Sequence, residues 1–195
     1  MTTTMTAEEH KSRSDRSYKL LLLFAMISMI MMFAGLTSAF VVSKSRADWL
    51  KDFQLPSAFY FSTAVIIGCS VTFHLAKKAI QKDNQKVTTA LLLATLGLGI
   101  LFVVLQFVGF GQIVESGYYF TGSESSITTT FLYIVTVVHL LHLAGGLISL
   151  LIIIFNQLKQ KYNSTQTLGI ELGAMYWHFL DLLWVYLFLF LFFFK

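Results

Sequence analysis

Five long apolar segments most strongly limit the folds open to this chain of 195 residues. Four of them contain no Asp, Glu, Lys or Arg, and the last contains a single aspartate. Each supplies the roughly 20 helical residues that are needed to cross a hydrocarbon layer about 30 Å thick. A membrane β-barrel would show short segments of alternating polarity instead. The sequence therefore predicts an all-α integral membrane bundle of five transmembrane helices, over residues 20–42, 55–76, 87–111, 127–155 and 172–194.

The composition and the charge exclude several other classes of protein. Hydrophobic residues make up 56% of the chain and charged residues 12%, whereas soluble domains average about a quarter charged. The formal net charge is +4, but the basic residues lie in short clusters between apolar segments, so we expect no nucleic-acid partner. Cys69 is the only cysteine, which excludes a disulfide framework within the chain and a multi-thiolate metal site.

The lysines and arginines predict the orientation in the membrane. The N-terminal arm and the second and fourth connecting segments carry ten of them, and the alternate segments carry four. Cytoplasmic loops are the ones enriched in Lys and Arg, so we expect a cytoplasmic N-terminus and a periplasmic C-terminus. Residues 1–19 are polar and predict a mobile arm, followed by one transmembrane domain over residues 20–195.

Ionisable residues inside the apolar segments need a partner or a function, because an aspartate at a helix centre costs roughly 2.5 to 3.5 kcal/mol to insert. His139 and His142 lie in the fourth segment, and His178 and Asp181 lie in the fifth. Residues three apart share a helix face, and the two segments are consecutive and antiparallel. We therefore expect the two pairs to face each other in a buried polar network, with Glu171 on nearly the same face as His178.

This network has three interpretations. Buried polar groups in membrane bundles usually pair with one another, which favours a structural role, with no catalytic residue and no metal ligand. A haem bound by His178 together with His139 or His142 is the second interpretation, because imidazole is a common axial ligand. A proton relay or proton-coupled carrier that uses Asp181 is the third. On the structural interpretation, replacing Asp181 with leucine should weaken assembly by leaving an imidazole without its partner.

Two motifs point to a known family. The stretch "HLLHLAGG" at residues 139–146, followed by "ELGAMYWHFLDLLWVYLF" at residues 171–188, resembles subunit III of the haem-copper terminal oxidases. The family's packing residues correspond to Gly146, Tyr176, Trp177, Phe179 and Trp184.

Two positions depart from the family pattern. Met29 follows Ser28 where the family usually has an acidic residue, and Gly109 stands three residues beyond Gln106 where many members have a glutamate. Any role of those two family carboxylates is therefore not carried over to this chain.

The resemblance implies a subunit without a redox centre in a complex that reduces oxygen to water and pumps protons. Haem and copper would belong to partner subunits I and II, with cytochrome c favoured as the electron donor and quinol as the alternative. Phospholipid would bind in a cleft between the first two common helices and the rest. The chain resembles the short five-helix bacterial type, which implies the bacterial inner membrane as a multi-pass protein, and a larger respiratory supercomplex as a further association.

Overall fold

A computed structural model describes residues 7–46, 49–50, 54–120, 122, 126–164 and 166–194. This part of the chain forms five helices and no named strand. Each helix is long and apolar enough to cross a membrane, so the predicted all-α class with five transmembrane helices is confirmed. The helices are α1 (Ala7–Ser43), α2 (Ser57–Gln81), α3 (Gln85–Glu115), α4 (Ile127–Leu158) and α5 (Leu168–Phe194).

The first helix is longer than the predicted span, because it begins within the polar arm. Residues 7–19 continue the helix without a break, and this segment contains no glycine or proline that would end it. The Ser17 hydroxyl donates to the carbonyl of Arg13, 3.0 Å away, as a helical serine often does. The mobility of the arm stays a prediction, and residues 1–6 lie outside the described part.

Polar side chains mark the starts of two helices. The Asn84 side chain accepts a hydrogen bond from the backbone N–H of Val87 at 3.2 Å and so caps α3. At the start of α4, Ser126 and Thr129 each bond to the other's backbone N–H, which forms a capping box. Both devices satisfy N–H groups that the first helical turn leaves without a partner.

Four of the helices form a closed ring, which we call the central bundle. Its neighbours around the ring are α2 and α3, α3 and α4, α4 and α5, and α5 and α2. The interior is strongly aromatic: Trp177, Trp184, Phe59, Phe73 and Phe102 are all fully buried. Helix α1 packs on the outside of this bundle, against α4 and α5.

The contacts of α1 correct one expectation. The resemblance implied a lipid cleft between the first two common helices, α1 and α2, and the remaining three. Along the described residues α1 and α2 do not contact each other, whereas α2 packs closely on α3 and α5. Helix α2 is therefore part of the central bundle, and that division of the helices is wrong.

Hydrogen bonds between loops place the basic segments at one end of the bundle. Lys19 forms an ion pair with Glu171 at 2.6 Å, which brings the arm to the start of α5. The backbone N–H of Ser164 donates to Asp83 at 2.7 Å, and the Gln85 side chain donates to the carbonyl of Tyr162 at 2.8 Å. The arm, the joined ends of α2 and α3 and the α4–α5 loop thus lie at one end of the bundle, and together they carry the ten Lys and Arg residues counted above. That this end is cytoplasmic stays a prediction.

Candidate functional site

The four ionisable residues of the predicted network do not meet. His178 turns towards α2, where its Nδ1 lies 2.6 Å from the hydroxyl of Ser70 and its ring lies 6.2 Å from that of His74. His139 is fully buried on α4, and its ring packs against that of Trp184 on α5.

The expectation that the histidine pair of α4 faces His178 is wrong, and neither carboxylate oxygen of Asp181 forms a hydrogen bond with that pair. Equal depth in the membrane does not fix the rotation of a helix: Trp177 of α5 packs beside Gly146 of α4, which turns the next residue, His178, towards α2.

Asp181 is one of several buried polar residues that lack a hydrogen-bond partner among the described residues. Only 4% of the residue is exposed, and neither carboxylate oxygen has a hydrogen-bond partner among the described residues. The hydroxyl of Ser70 lies close to the carboxylate, but the hydrogen bond of that hydroxyl is with Nδ1 of His178, at 2.6 Å. Ser70 therefore has both His178 and Asp181 as neighbours, and its hydroxyl is hydrogen-bonded to the imidazole of His178.

The two histidines of α4 have separate environments. Both ring nitrogens of His139 lack a hydrogen-bond partner in the described part of the chain. Its ring lies among those of Phe33, Phe102 and Trp184, with centroids 6.5, 6.1 and 5.2 Å away. His142 bonds through Nδ1 to the carbonyl of Val138, one turn earlier, at 2.7 Å. A carbonyl can only accept, so Nδ1 of His142 carries the proton.

Glu171 belongs to the end of the bundle and not to its interior. It accepts hydrogen bonds from the Lys19 ammonium at 2.6 Å and from the Thr167 hydroxyl at 2.7 Å. The predicted five-residue network therefore divides into separate local contacts. The contact of Glu171 holds the arm of α1 against α5.

The residues of the family motif join α5 to α4 and α2. The Tyr176 hydroxyl donates to the carbonyl of His142 on α4 at 3.0 Å, and the Trp184 indole donates to the Thr63 hydroxyl on α2 at 3.1 Å. Phe179 is partly buried and packs against the cluster that Phe33 of α1 forms with Val135 of α4 and Leu183 of α5.

Small residues admit the side chains of α5 at two points. A Cβ atom on Gly146 of α4 would lie 3.0 Å from Leu180 and 3.4 Å from the Trp177 ring. A Cβ on Gly99 of α3 would lie 3.2 Å from the same ring. The inference that Gly146 lets a neighbouring helix approach closely agrees with these distances.

Serines and threonines of α2 are the polar residues that the sequence analysis missed. Thr63 and Ser70 bond to α5, Ser62 accepts from Gln106 of α3 at 2.8 Å, and Thr72 bonds to Thr95 of α3 at 2.8 Å. Thr63 and Ser70 are seven residues apart and so share a helix face. That spacing would have indicated α2 as the partner of His178.

The arrangement does not suit a haem with two histidine ligands. Axial ligands must approach one iron from opposite sides, yet His178 bonds to α2 while His139 is enclosed by aromatic rings and His142 bonds to its own helix. Among the described residues, no three His, Cys, Asp or Glu side chains are grouped as a metal site would require. What the geometry does provide is cohesion between helices through hydrogen bonds and aromatic packing.

Comparison with known proteins decides the family. A family model described as cytochrome c oxidase subunit III matches residues 2–195, which includes all five helices. This chain belongs to the cytochrome c oxidase subunit III family. The relatives of the subunit III family include a "Cytochrome c oxidase subunit 3" of Pelomedusa subrufa, 32% identical over 140 residues, which are 72% of this chain and 50% of that protein.

Two further relatives carry the same description. The one from Spodoptera frugiperda is 32% identical over 137 residues, covering 70% of this chain and 87% of that protein. The one from Loxodonta africana is 34% identical over 128 residues, covering 66% of this chain and 47% of that protein. The chain thus spans about half the length of most of these subunit III relatives. All three come from animals, so they do not support the bacterial type that we expected.

One departure from the subunit III pattern has a structural counterpart. A Cβ atom on Gly109 would overlap the ring of Phe59, which is fully buried between α2 and α3. The ring of Phe59 thus occupies the space that a side chain at position 109 would need. Met29, at the other departure, is half-buried on α1.

We expect Ser70, and not Asp181, to stabilise the fold. Ser70→Ala removes the hydrogen bond to His178 and should lower the free energy of unfolding by about 1 kcal/mol. Asp181→Asn keeps the size of the side chain and removes a buried carboxylate without a hydrogen-bond partner, so stability should stay the same or rise by about 1 kcal/mol. Unfolding of the detergent-solubilised variants by SDS, followed by circular dichroism, measures both changes.

This expectation replaces the earlier one for Asp181→Leu, because the imidazole that was to lose its partner is bonded to Ser70. Thr89→Ala is a matched control, since the Thr89 hydroxyl bonds only to the carbonyl of Gln85 within its own helix. If Asp181→Asn were the more destabilising of the two changes, the carboxylate would have a stabilising partner and our description of it would be wrong.

Proposed function

We propose that this chain is subunit III of a proton-pumping haem-copper terminal oxidase. It carries no redox centre in this proposal and no catalytic residue, and it packs beside subunit I, with haem and copper in subunits I and II. Its role is to stabilise subunit I during sustained turnover and to hold membrane phospholipid. The family match over residues 2–195 is the observation that carries the proposal.

The interior of the bundle supports a structural role. Hydrogen bonds join α5 to α2 and α4, and others join α2 to α3. The contacts use serine, threonine, tyrosine and backbone groups, which fix helix positions but transfer no electrons. Buried polar groups of this kind make a membrane bundle hold one arrangement.

Several details of the proposal come from the sequence. The excess of Lys and Arg at the end formed by the arm, the α2–α3 connection and the α4–α5 loop supports a cytoplasmic position for that end and a periplasmic C-terminus. We propose the bacterial inner membrane, cytochrome c as the favoured donor and quinol as the alternative. Association with a larger respiratory supercomplex is a further part of the proposal.

Purification of an affinity-tagged chain from its own membranes tests the proposal. The tagged chain, solubilised in a mild detergent, should recover a haem-containing complex with a haem-copper subunit I, identified by mass spectrometry and by its absorption spectrum. Membranes with the untagged chain are the control. A stable complex that lacks such a subunit would overturn the proposal.

The same preparation separates the alternatives. A dinuclear copper motif in the co-purified subunit II would identify cytochrome c as the donor, and its absence would favour quinol. A Soret band that stays with the chain after the other subunits are removed would favour a small b-type cytochrome. Electrogenic proton flux in liposomes that contain this chain alone would favour a proton-coupled carrier.

A further inference from the structure

Three buried polar side chains of α3 and α4 have hydrogen-bonding atoms without a partner among the described residues. These atoms are the carbonyl oxygen of Gln106, the hydroxyl of Thr136 and both ring nitrogens of His139. All three residues are 0% exposed. Buried polar atoms are rarely left without a hydrogen bond, so this group indicates a ligand inside the bundle.

The orientation of the Gln106 amide follows from its neighbour on α2. The Ser62 hydroxyl donates its one proton to the carbonyl of Phe59, 3.0 Å away. Ser62 therefore accepts from Gln106, whose Nε2 lies at 2.8 Å. The remaining polar atom of that amide is the carbonyl oxygen, which can only accept. A ligand at this place has to supply an O–H or N–H group to it.

The hydroxyl of Thr136 behaves differently from those of other helical threonines in the chain. Five threonine hydroxyls donate to the carbonyl four residues earlier in their own helix, namely those of Thr37, Thr63, Thr88, Thr89 and Thr95. Such a bond is the usual arrangement for a threonine inside a helix. Thr136 does not form it within the described structure, so its hydroxyl is available to a ligand.

Aromatic packing fixes the level of Gln106 relative to α4. Phe102 precedes Gln106 by one turn, and its ring centroid lies 6.1 Å from that of His139. Phe110 follows Gln106 by one turn, and its ring centroid lies 5.1 Å from that of Tyr133. Gln106 is thus level with the point of α4 that is midway between Tyr133 and His139.

Thr136 stands at that midpoint, and it is a neighbour of His139 because residues three apart share a helix face. We propose that Gln106, Thr136 and His139 bind one water molecule between α3 and α4. The water donates to the carbonyl oxygen of Gln106 and accepts from an imidazole N–H of His139. Its third hydrogen bond is with the Thr136 hydroxyl, and three bonds are typical of a buried water.

The surroundings of His139 decide the size of this ligand. The rings of Phe33, Phe102 and Trp184 enclose the imidazole, with centroids 6.5, 6.1 and 5.2 Å away. The ligand therefore has to be small, and it has to offer both a donor and an acceptor, as water does.

The bound water joins three helices inside the bundle. Through Gln106 it is connected to Ser62 of α2. A direct side-chain hydrogen bond between α3 and α4, from Gln157 to Gln85, lies at the end of the bundle. The water gives these two helices a polar contact further along their length. This role goes beyond the proposed function, because it concerns the bundle itself and not its partner subunits.

Nuclear magnetic resonance of the full-length chain in detergent micelles tests for the water. With isotope-labelled histidine, the carbon-bound Hε1 proton of His139 should show a nuclear Overhauser effect to water, with the sign given by a long-lived bound molecule. Thr136→Val removes the hydroxyl and keeps the shape of the side chain, so this effect should fall at least about fivefold. His139→Phe identifies the signal by removing it.

Thr88→Val is the matched control, because Thr88 is also 0% exposed but its hydroxyl bonds to the carbonyl of Asn84 in its own helix. The Overhauser effect at His139 should stay unchanged in this variant. Absence of the effect in the unaltered chain would overturn the proposal. An effect that is equally strong in Thr136→Val would also overturn it, since the water would then not be held by this hydroxyl.

Unfolding by SDS gives a second measurement. If one water links Thr136 to His139, the midpoint of the Thr136→Val, His139→Phe double variant should shift less than the sum of the two single shifts. A higher midpoint for Thr136→Val alone would contradict the proposal, because it would mean that the hydroxyl has no ligand to lose. Both measurements use the chain alone, so their outcome is independent of whether the chain co-purifies with an oxidase.

Discussion

Glutamate in place of Gly109 should break the interface between α2 and α3. A Cβ atom at this position overlaps the ring of Phe59, which is fully buried. That ring cannot turn away freely, because it contacts Phe110 and Trp184 edge-on, with centroids 6.4 and 5.7 Å away. Overpacking costs about 1 to 3 kcal/mol, and the buried carboxylate adds to it, so we expect a loss of about 3 kcal/mol or more.

Three companion variants make this experiment specific. Gly109→Ala tests the packing cost alone, and Gly111→Ala is its matched control, because a Cβ on Gly111 meets no atom within 4 Å. Combining Gly109→Glu with Phe59→Ala should be less destabilising than the sum of the two single changes, since the alanine opens the space. SDS unfolding midpoints measure these four variants, together with Phe59→Ala alone, which the sum requires. If Gly109→Glu is no worse than Gly111→Ala, then Phe59 does not close the site.

The number and positions of the helices could be predicted because the signal is local. A run of uncharged apolar residues long enough to cross a bilayer must be helical there, since a helix bonds its own backbone groups. Four of the five predicted spans accordingly lie within their helices, and the second begins two residues before α2, whose N-cap is Pro56. The extension of α1 back to Ala7 was missed, because hydropathy ends where the charges begin although the helix does not.

The partners of the buried polar residues could not be predicted in the same way. The depth of His178 follows from its position in a span, but its direction depends on how α5 is rotated among α2, α3 and α4. In the structure the large indole of Trp177 takes the space beside Gly99 and Gly146. This orients α5 so that His178, about 100° further round the helix, meets Ser70 on α2. Packing of the largest side chain thus decides which polar groups meet.

The departure from the family pattern at Gly109 also depends on a packing neighbour that the sequence does not reveal. Gly109 appeared in the sequence as the loss of a carboxylate. The structure relates it to Phe59, which lies 50 residues earlier in the chain and fills the same space. A single sequence contains both residues but no indication that they touch.

Alanine in place of Trp177 should be the most disruptive single truncation in the bundle. Trp177 is 1% exposed, and its ring packs against Gly99 of α3 and Gly146 of α4. On its other side lies Phe73 of α2, with ring centroids 6.1 Å apart. One side chain of α5 thus touches the three other helices of the central bundle. Its indole N–H has no partner among the described residues, so truncation removes packing and no hydrogen bond.

The expected loss is about 3 kcal/mol, the lower end of the range for large aromatic truncations. The lower end applies because helices that separate within lipid stay in an apolar solvent. The stabilising free energy that is lost therefore comes from van der Waals contacts and not from transfer out of water. Leu182→Ala is the matched control on the same helix, since Leu182 is 72% exposed and faces away from the bundle. Trp177→Phe should fall between the two.

The SDS unfolding midpoints of these variants rank the contributions of packing and polar contacts to the fold. Trp177→Ala should lower the free energy of unfolding about three times as much as Ser70→Ala, for which we expect about 1 kcal/mol. The reverse order would mean that the hydrogen bond between Ser70 and His178 orients α5, and that the indole only fills space left by it. Equal effects of Trp177→Ala and Leu182→Ala would contradict the central position of the indole.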